Sequence, residues 1–330
     1  MKKDINLSTT TNITSTYVGE HASDYFAAAL LAAASLDSGG ITVAPNIKYQ
    51  QTFTKMATSG LITNATCDFD ASSTVTLSEK VVTPKELQVN LQMCKKDFVQ
   101  QFDAASMGFS AHSEVPKNFS DFLIGHVLGS VAASLETQIW SGNSSTAGEM
   151  NGIITELALD ANLPAAQEGA TTALSTANIV ATFTAITDDI TPAMYSQPNL
   201  AFYASTNAVK FYIAALGGHY VLGATPFSSA GGAGTDGKGT QWAGRTEGLT
   251  YGGIPIIHCP GLPDDHIICT YKENLIFGTG MLNDTNEIKL IDMAPIDGSQ
   301  NFRFVARFTG VATYLVAEDI CTYGFANSAN

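Results

Sequence analysis

The chain has 330 residues, enough for a well-buried core in one large domain or two smaller ones. Hydrophobic residues make up 45% and charged residues only 14%, the opposite of a disordered composition, so the chain should fold. The net charge of −14 argues against a nucleic-acid-binding surface, which needs Lys and Arg to displace counterions from phosphate.

The charge is unevenly spread. Nine of the 16 basic residues lie between Lys2 and Lys117, and none falls between Asn118 and Val209. That stretch holds Asp121, Glu136, Glu149, Glu156, Asp160, Glu168, Asp188 and Asp189. Such asymmetry suits head-to-tail association between unlike faces, and equally a solvated acidic face.

Residues 1–45 form a low-charge leader with a short Ala/Leu helix, Ala22 to Leu36, stopping at Gly39-Gly40. Little apolar content precedes that helix, so the leader is expected to be ordered only against a neighbour. The Lys2-Lys3 start is followed by a polar run rather than an apolar one, so no signal peptide is expected. Phe26 to Leu36 is too short to span a bilayer, and the protein is expected to be soluble and intracellular at synthesis.

Residues 46–84 read as a long, thin hairpin, with strands at Leu61 to Phe69 and Thr74 to Val82 around a turn at Asp70 to Ser73. A two-stranded hairpin this rich in Thr and Ser is not stable alone, so it is expected to reach onto a partner rather than pack on its own domain. Leu87, Val89, Leu91 and Met93 then alternate with polar residues as a half-buried strand. A short helix is expected at Lys95 to Ala105. A long helix follows over 118–141, with Asn118 as N-cap and Gly142 as stop. Ile124, Val127, Leu128, Val131, Leu135 and Ile139 give it one apolar stripe, and about 23 residues make a rod of roughly 35 Å.

Residues 151–258 suggest a second lobe of short helices (Thr176 to Ala185, Asn207 to Leu216) and apolar runs (Leu200 to Tyr203, Ile254 to Ile257), interrupted by a Gly/Ser-rich loop from Thr225 to Arg245. Residues 259–330 return to strands at Glu287 to Asp292 and Phe302 to Val316. In the second, Phe302, Phe304, Ala306 and Phe308 face one way and Arg303, Val305 and Arg307 the other. The second lobe reads as α+β or α/β, and the fold class expected for the whole chain is α+β.

No motif for chemistry is complete in the sequence. Gly232 to Gly239 satisfies GxGxxG, but no strong strand precedes it, no helix follows, and Gly239 stands where a magnesium-binding hydroxyl belongs. Cys67, Cys94, Cys259, Cys269 and Cys321 are odd in number and lack metal-ligand spacing, and read as reduced, mostly buried residues. His258-Cys259 with His266 and Cys269 makes no zinc knuckle. Asp188-Asp189 and Asp264-Asp265 sit in polar turns and read as solvated pairs. Trp140 and Trp242 read as packing or interface anchors. No catalytic, cofactor-binding or metal-binding residue is nominated, and no cofactor is expected.

The order of elements resembles the Hong Kong 97-like major capsid protein of tailed double-stranded DNA bacteriophages. Val82 to Phe102 (VTPKELQVNLQMCKKDFVQQF) looks like the junction where that family's extended hairpin re-enters the peripheral domain. Glu136 to Thr155 (ETQIWSGNSSTAGEMNGIIT) looks like the passage from the spine helix to the axial domain, and Gly248 to Cys269 (GLTYGGIPIIHCPGLPDDHIIC) like the return. Glu273 to Met293 and Gly298 to Val316 resemble the closing strands.

The resemblance implies an N-terminal arm (1–45), an extended hairpin loop (46–84), a peripheral domain whose first part (85–150) carries the spine helix, an axial domain (151–258) and a return to the peripheral domain (259–330). It implies self-assembly into hexamers and pentamers of an icosahedral shell, located in the virion and assembled in the host bacterial cytoplasm. Further expected partners are portal and scaffolding proteins, decoration proteins, and packaged DNA that is enclosed without sequence-specific binding; no membrane partner is expected. Some members lose an N-terminal segment to proteolysis; here an uncleaved chain served by a separate scaffold is expected. One member cross-links a hairpin Lys to a neighbour's Asn; Lys80 lies in that region, but no such bond is expected. The candidate inter-subunit contacts are Phe69, Lys80, Lys95, Lys96, Arg303 and Arg307. Alternatives are an encapsulin-type nanocompartment shell, an acidic surface or adhesin protein, and an α+β enzyme.

Overall fold

The computed structural model describes residues 16–17, 34–37, 40–45, 47, 49–62, 64, 67, 73–94, 117–216, 249–280 and 289–328. Most of the leader, the 95–105 helix and the Gly/Ser-rich loop expected from the sequence lie outside these residues, as do Phe69, Lys95, Lys96 and Trp242.

A six-stranded sheet is built around one long strand. The edges and partners are β1 (Thr16–Tyr17), β2 (Thr42–Pro45), β5 (Lys85–Cys94), β10 (Leu275–Thr279), β11 (Lys289–Asp292) and β12 (Asn301–Tyr314). β12 runs unbroken through Gly310 for 14 residues, roughly 46 Å, with no split. β5 pairs antiparallel with it from Asn301↔Cys94 to Gly310↔Lys85. On the other side β11 pairs with its first half and β10 with its second half. β10 in turn pairs parallel with β2, so the leader contributes a strand to the sheet.

Alternation decides the faces. Phe302, Phe304, Ala306 and Phe308 are buried, while Arg303 and Arg307 are exposed. Leu87 of β5 is buried on the same side, with Val89, Leu91 and Met93 packed against the core. Across that face lies α2 (Lys117–Ser141), which contributes Val127, Leu128, Leu135, Ile139 and Trp140 to one hydrophobic cluster. The helix begins one residue before Asn118 and stops at Ser141, before Gly142 as expected. The stop is steric: a Cβ on Gly142 would lie 2.4 Å from the Met150 carbonyl oxygen, so only glycine lets the chain turn back there.

A second sheet of five strands has the order β13, β9, β6, β8, β7. Its members are β6 (Leu200–Ala204), β7 (Thr250–Tyr251), β8 (Ile254–His258), β9 (Ile267–Tyr271) and β13 (Cys321–Tyr323). β9 and β13 come from beyond residue 258, where the sequence suggested that the chain had already left this lobe. Short apolar runs do not announce which sheet they join. Helices α4 (Ile179–Asp188) and α6 (Thr206–Ala215) cover this sheet, burying Ile179, Phe183, Ile186, Ala208, Val209 and Tyr212 against it. Between them in the chain lies the short α5 (Pro192–Tyr195), and α3 (Ile153–Leu157) links the spine to this region.

The hairpin is the third unit. β3 (Gln51–Ser59) pairs antiparallel with β4 (Thr74–Val82), from Gln51↔Val82 to Ser59↔Thr74. The second strand agrees with the sequence expectation. The first does not: it lies ten residues earlier than the Leu61 to Phe69 assignment, and Leu61 and Ile62 are not in a strand. Apolar density misled the assignment, whereas cross-strand register decides pairing.

Candidate inter-subunit surfaces

The hairpin has two unlike faces. On one, Met56 pairs with Leu77 and Val75 with Thr58, and Val81 follows on β4. These side chains stand in solvent: Met56 is 66% exposed, Leu77 68% and Val75 59%. Tyr49, Leu61 and Ile62 flank them and are also exposed. Most large exposed apolar residues among the described ones belong to this one segment. A monomer that displayed such a patch would gain by covering it.

The other face carries Phe53, Lys55, Ser78 and Lys80, and it turns toward its own body. Lys80 Nζ lies 3.7 Å from an Asp160 carboxylate oxygen and 3.9 Å from one of Glu156. The same ammonium sits 4.0 Å from the centre of the Tyr314 ring. Lys55 forms an ion pair with Glu318. The sequence suggested a hairpin that reaches away from its domain. The structure instead ties one face of it down, because cations 25 residues apart in the chain meet body acids that local pattern cannot reveal.

The carboxylates in that contact are held by the body itself. Thr313 Oγ1 donates to Glu156 at 2.7 Å, and Tyr314 OH donates to Asp160 at 2.6 Å. Asn162 donates to Asp160 through its backbone N–H and its side chain, at 2.9 and 2.8 Å. Burial pushes the Glu156 carboxyl above the usual carboxylate range, against the pull of Thr313 and Lys80. Burial also acts to raise Asp160, but its hydrogen bonds and Lys80 prevail and hold it below that range.

The outward face of β12 and β5 is a third surface. Arg303 Nε donates to Gln92 Oε1 at 2.9 Å across the strands. Arg307 lies opposite Gln88 and helps to line an open cleft of about 870 Å³ with Tyr49, Lys85, Glu86 and Phe308. Two of the chain's three arginines thus share one exposed sheet face.

One buried polar cluster was missed in the sequence. Glu136, on the spine, is 5% exposed. It accepts from the Ser35 backbone N–H at 2.9 Å, from Trp140 Nε1 at 3.3 Å and from the Gly261 N–H at 3.4 Å. Ser35 Oγ also donates to it at 2.5 Å and accepts from Trp140 Nε1 at 2.8 Å. The carboxylate therefore pins α1 (Ala34–Asp37), the spine and the Gly261 turn together. A signal existed: Glu136 sits beside Leu135, four residues before Trp140, on the buried side of an otherwise apolar stripe.

The histidines and cysteines near residue 260 make separate contacts in the structure. His258 Nε2 lies 2.9 Å from Thr206 Oγ1, and His266 stacks on Phe325. Cys259, Cys269 and Cys321 are fully buried, and burial drives the Cys259 and Cys269 thiols well above their ordinary values. Among the described residues no group of three or more His, Cys, Asp or Glu side chains is placed to hold a metal ion, and no helix is long and apolar enough to cross a membrane.

No family model matches the chain, and no curated protein matches it in sequence. Solved structures do match. The capsid of an empty GTA particle aligns over 88% of each chain, with a TM-score of 0.53 and 13% identity. The capsid of cyanophage P-SCSP1u aligns over 85% of each chain, with 0.52 and 12%. The capsid of Myoviridae phage XM1 aligns over 88% of this chain and 92% of its own, with 0.52 and 9%. At these identities the likeness is one of fold, and the fold is that of capsid shell proteins. The shared fold is α+β, with a two-stranded hairpin, a 25-residue helix and a 14-residue strand.

Proposed function

We propose that this chain is a major capsid protein, whose copies form the hexamers and pentamers of an icosahedral phage head around double-stranded DNA. The observation that carries the proposal is the fold match, which spans 85–88% of this chain and 85–92% of the three capsid chains described above. A match to nearly whole capsid subunits leaves little room for a separate catalytic module. The exposed apolar pairs of the hairpin support it, since a shell subunit has neighbours to cover them.

On this reading the role is structural and the protein resides in the virion capsid, assembled in the host bacterial cytoplasm. Residues 1–45 serve as the arm, 46–84 as the extended loop, 85–150 and 259–330 as the peripheral domain, and 151–258 as the core of the axial domain. Arg303 and Arg307 contact neighbouring subunits, joined by Phe69, Lys95 and Lys96, whereas Lys80, nominated with them from the sequence, faces Glu156 and Asp160 of its own chain. Portal, scaffolding and decoration proteins are further partners, and the DNA is enclosed rather than read. An acidic wall is suited to that, because it does not grip its contents.

Negative-stain microscopy of the concentrated protein, alone and with co-expressed phage head proteins, tests the assignment. Icosahedral shells are expected. Monodisperse monomers under every condition would sink it. Purified native particles should contain DNA; particles filled with an enzyme instead would move the assignment to a nanocompartment shell.

A further inference from the structure

The contact beneath the hairpin is built more carefully than an incidental surface ion pair. Lys80, Glu156 and Asp160 side chains are only 29%, 24% and 16% exposed. Both carboxylates are already oriented by Thr313, Tyr314 and Asn162, so Lys80 meets a preformed box of two acids and one aromatic face. Toward the hairpin tip, Lys55 and Glu318 close a second point. Between the two runs a groove of about 570 Å³, lined by Phe53 and Ser78 above and Leu315 and Val316 below. Its ionisable groups are Lys55, Glu79 and Lys80 from the hairpin and Asp160, Tyr314 and Glu318 from the body, with Glu156 beside them. Register places Lys55 and Lys80 on the face opposite Met56, Val75 and Leu77.

We propose that Lys80 and its Glu156–Asp160–Tyr314 box form an intramolecular latch that holds the hairpin in a fixed pose on its own body before any partner arrives. The latch turns the polar face inward, so the apolar face is presented outward to a second copy. A hairpin fixed beforehand loses less entropy when it is covered. That last consequence rests on the shell assignment; the latch itself does not.

Hydrogen exchange on dispersed full-length chains, held below any assembling concentration, tests it. Lys80→Gln should speed exchange at residues 51–59 and 74–82 on the order of fivefold, while 301–314 stays unchanged. Lys80→Arg, which keeps the cation, should stay near the wild type, and Lys55→Gln should act more weakly because its pair is more exposed. Unchanged hairpin exchange in Lys80→Gln overturns the latch, and so does an acceleration that spreads equally to 301–314. The measurement needs no assembled particle, so a failed shell assignment and a failed latch remain distinguishable.

Discussion

At the scale of single residues, Glu136 illustrates what composition hides. In the sequence it is one of eight acids in a stretch without cations, and it looked like part of a solvated face. In the fold it is a shared acceptor for Ser35, Trp140 and Gly261. Two of those donors, Ser35 and Gly261, lie more than 100 residues away, so the local pattern could mark the acid as sitting on the buried side of an apolar stripe but not show what it joins. Glu136→Ala removes that acceptor from a buried site and should cost about 2–4 kcal/mol of stability in denaturant unfolding. A loss below about 0.5 kcal/mol would mean that the carboxylate pins nothing. His258 carries a pH dependence. Burial and, less strongly, Lys210 hold its imidazole below the ordinary value of 6.5, against the pull of Glu136. The unfolded chain therefore binds a proton more readily than the folded one. Its contribution to stability should be intact above about pH 6.5 and fall as the solution is acidified below that. Comparing unfolding midpoints at pH 7.5 and about 5.5 checks this, and His258→Gln should flatten the difference.

At the scale of elements, legibility followed periodicity. β5, the spine and β12 were readable because each has one buried and one solvated face, so burial imprints a period on the sequence. The hairpin has no such imprint on its first strand: Gln51 to Ser59 is mostly exposed on both sides, and the more apolar Leu61-Ile62 drew the assignment away. The second lobe's sheet was readable in its strands but not in its membership, since β9 and β13 join it from far along the chain. The alternation in β12 can be tested directly. Phe304 is fully buried and Arg303 is exposed. Phe304→Ala should cost about 3–5 kcal/mol in the dispersed chain. Arg303→Ala, one residue away, should stay within about 0.5 kcal/mol. Equal effects would contradict the register of the sheet.

At the scale of the whole molecule, folding and assembly make separable demands on the sequence. The two hydrophobic clusters hold the body together without Met56, Val75 or Leu77. Those three residues face solvent on a strand pair whose other side is bound to the body, so the isolated chain gains little from their being apolar. Under the shell assignment their benefit appears only when a second copy covers them. Met56→Ser with Leu77→Ser should therefore leave the unfolding free energy of the dispersed chain within about 0.5 kcal/mol of wild type. The same pair should raise the protein concentration needed for shell formation by on the order of tenfold or more, because each buried side chain of this size contributes about 1.5–3 kcal/mol. Light scattering against concentration measures the threshold, and calorimetry measures the fold. If the double variant assembles as readily as wild type, the hairpin's apolar face is not a subunit contact. If it unfolds instead, that face is covered within the chain. Only a shifted threshold with an unshifted fold places the contact between copies.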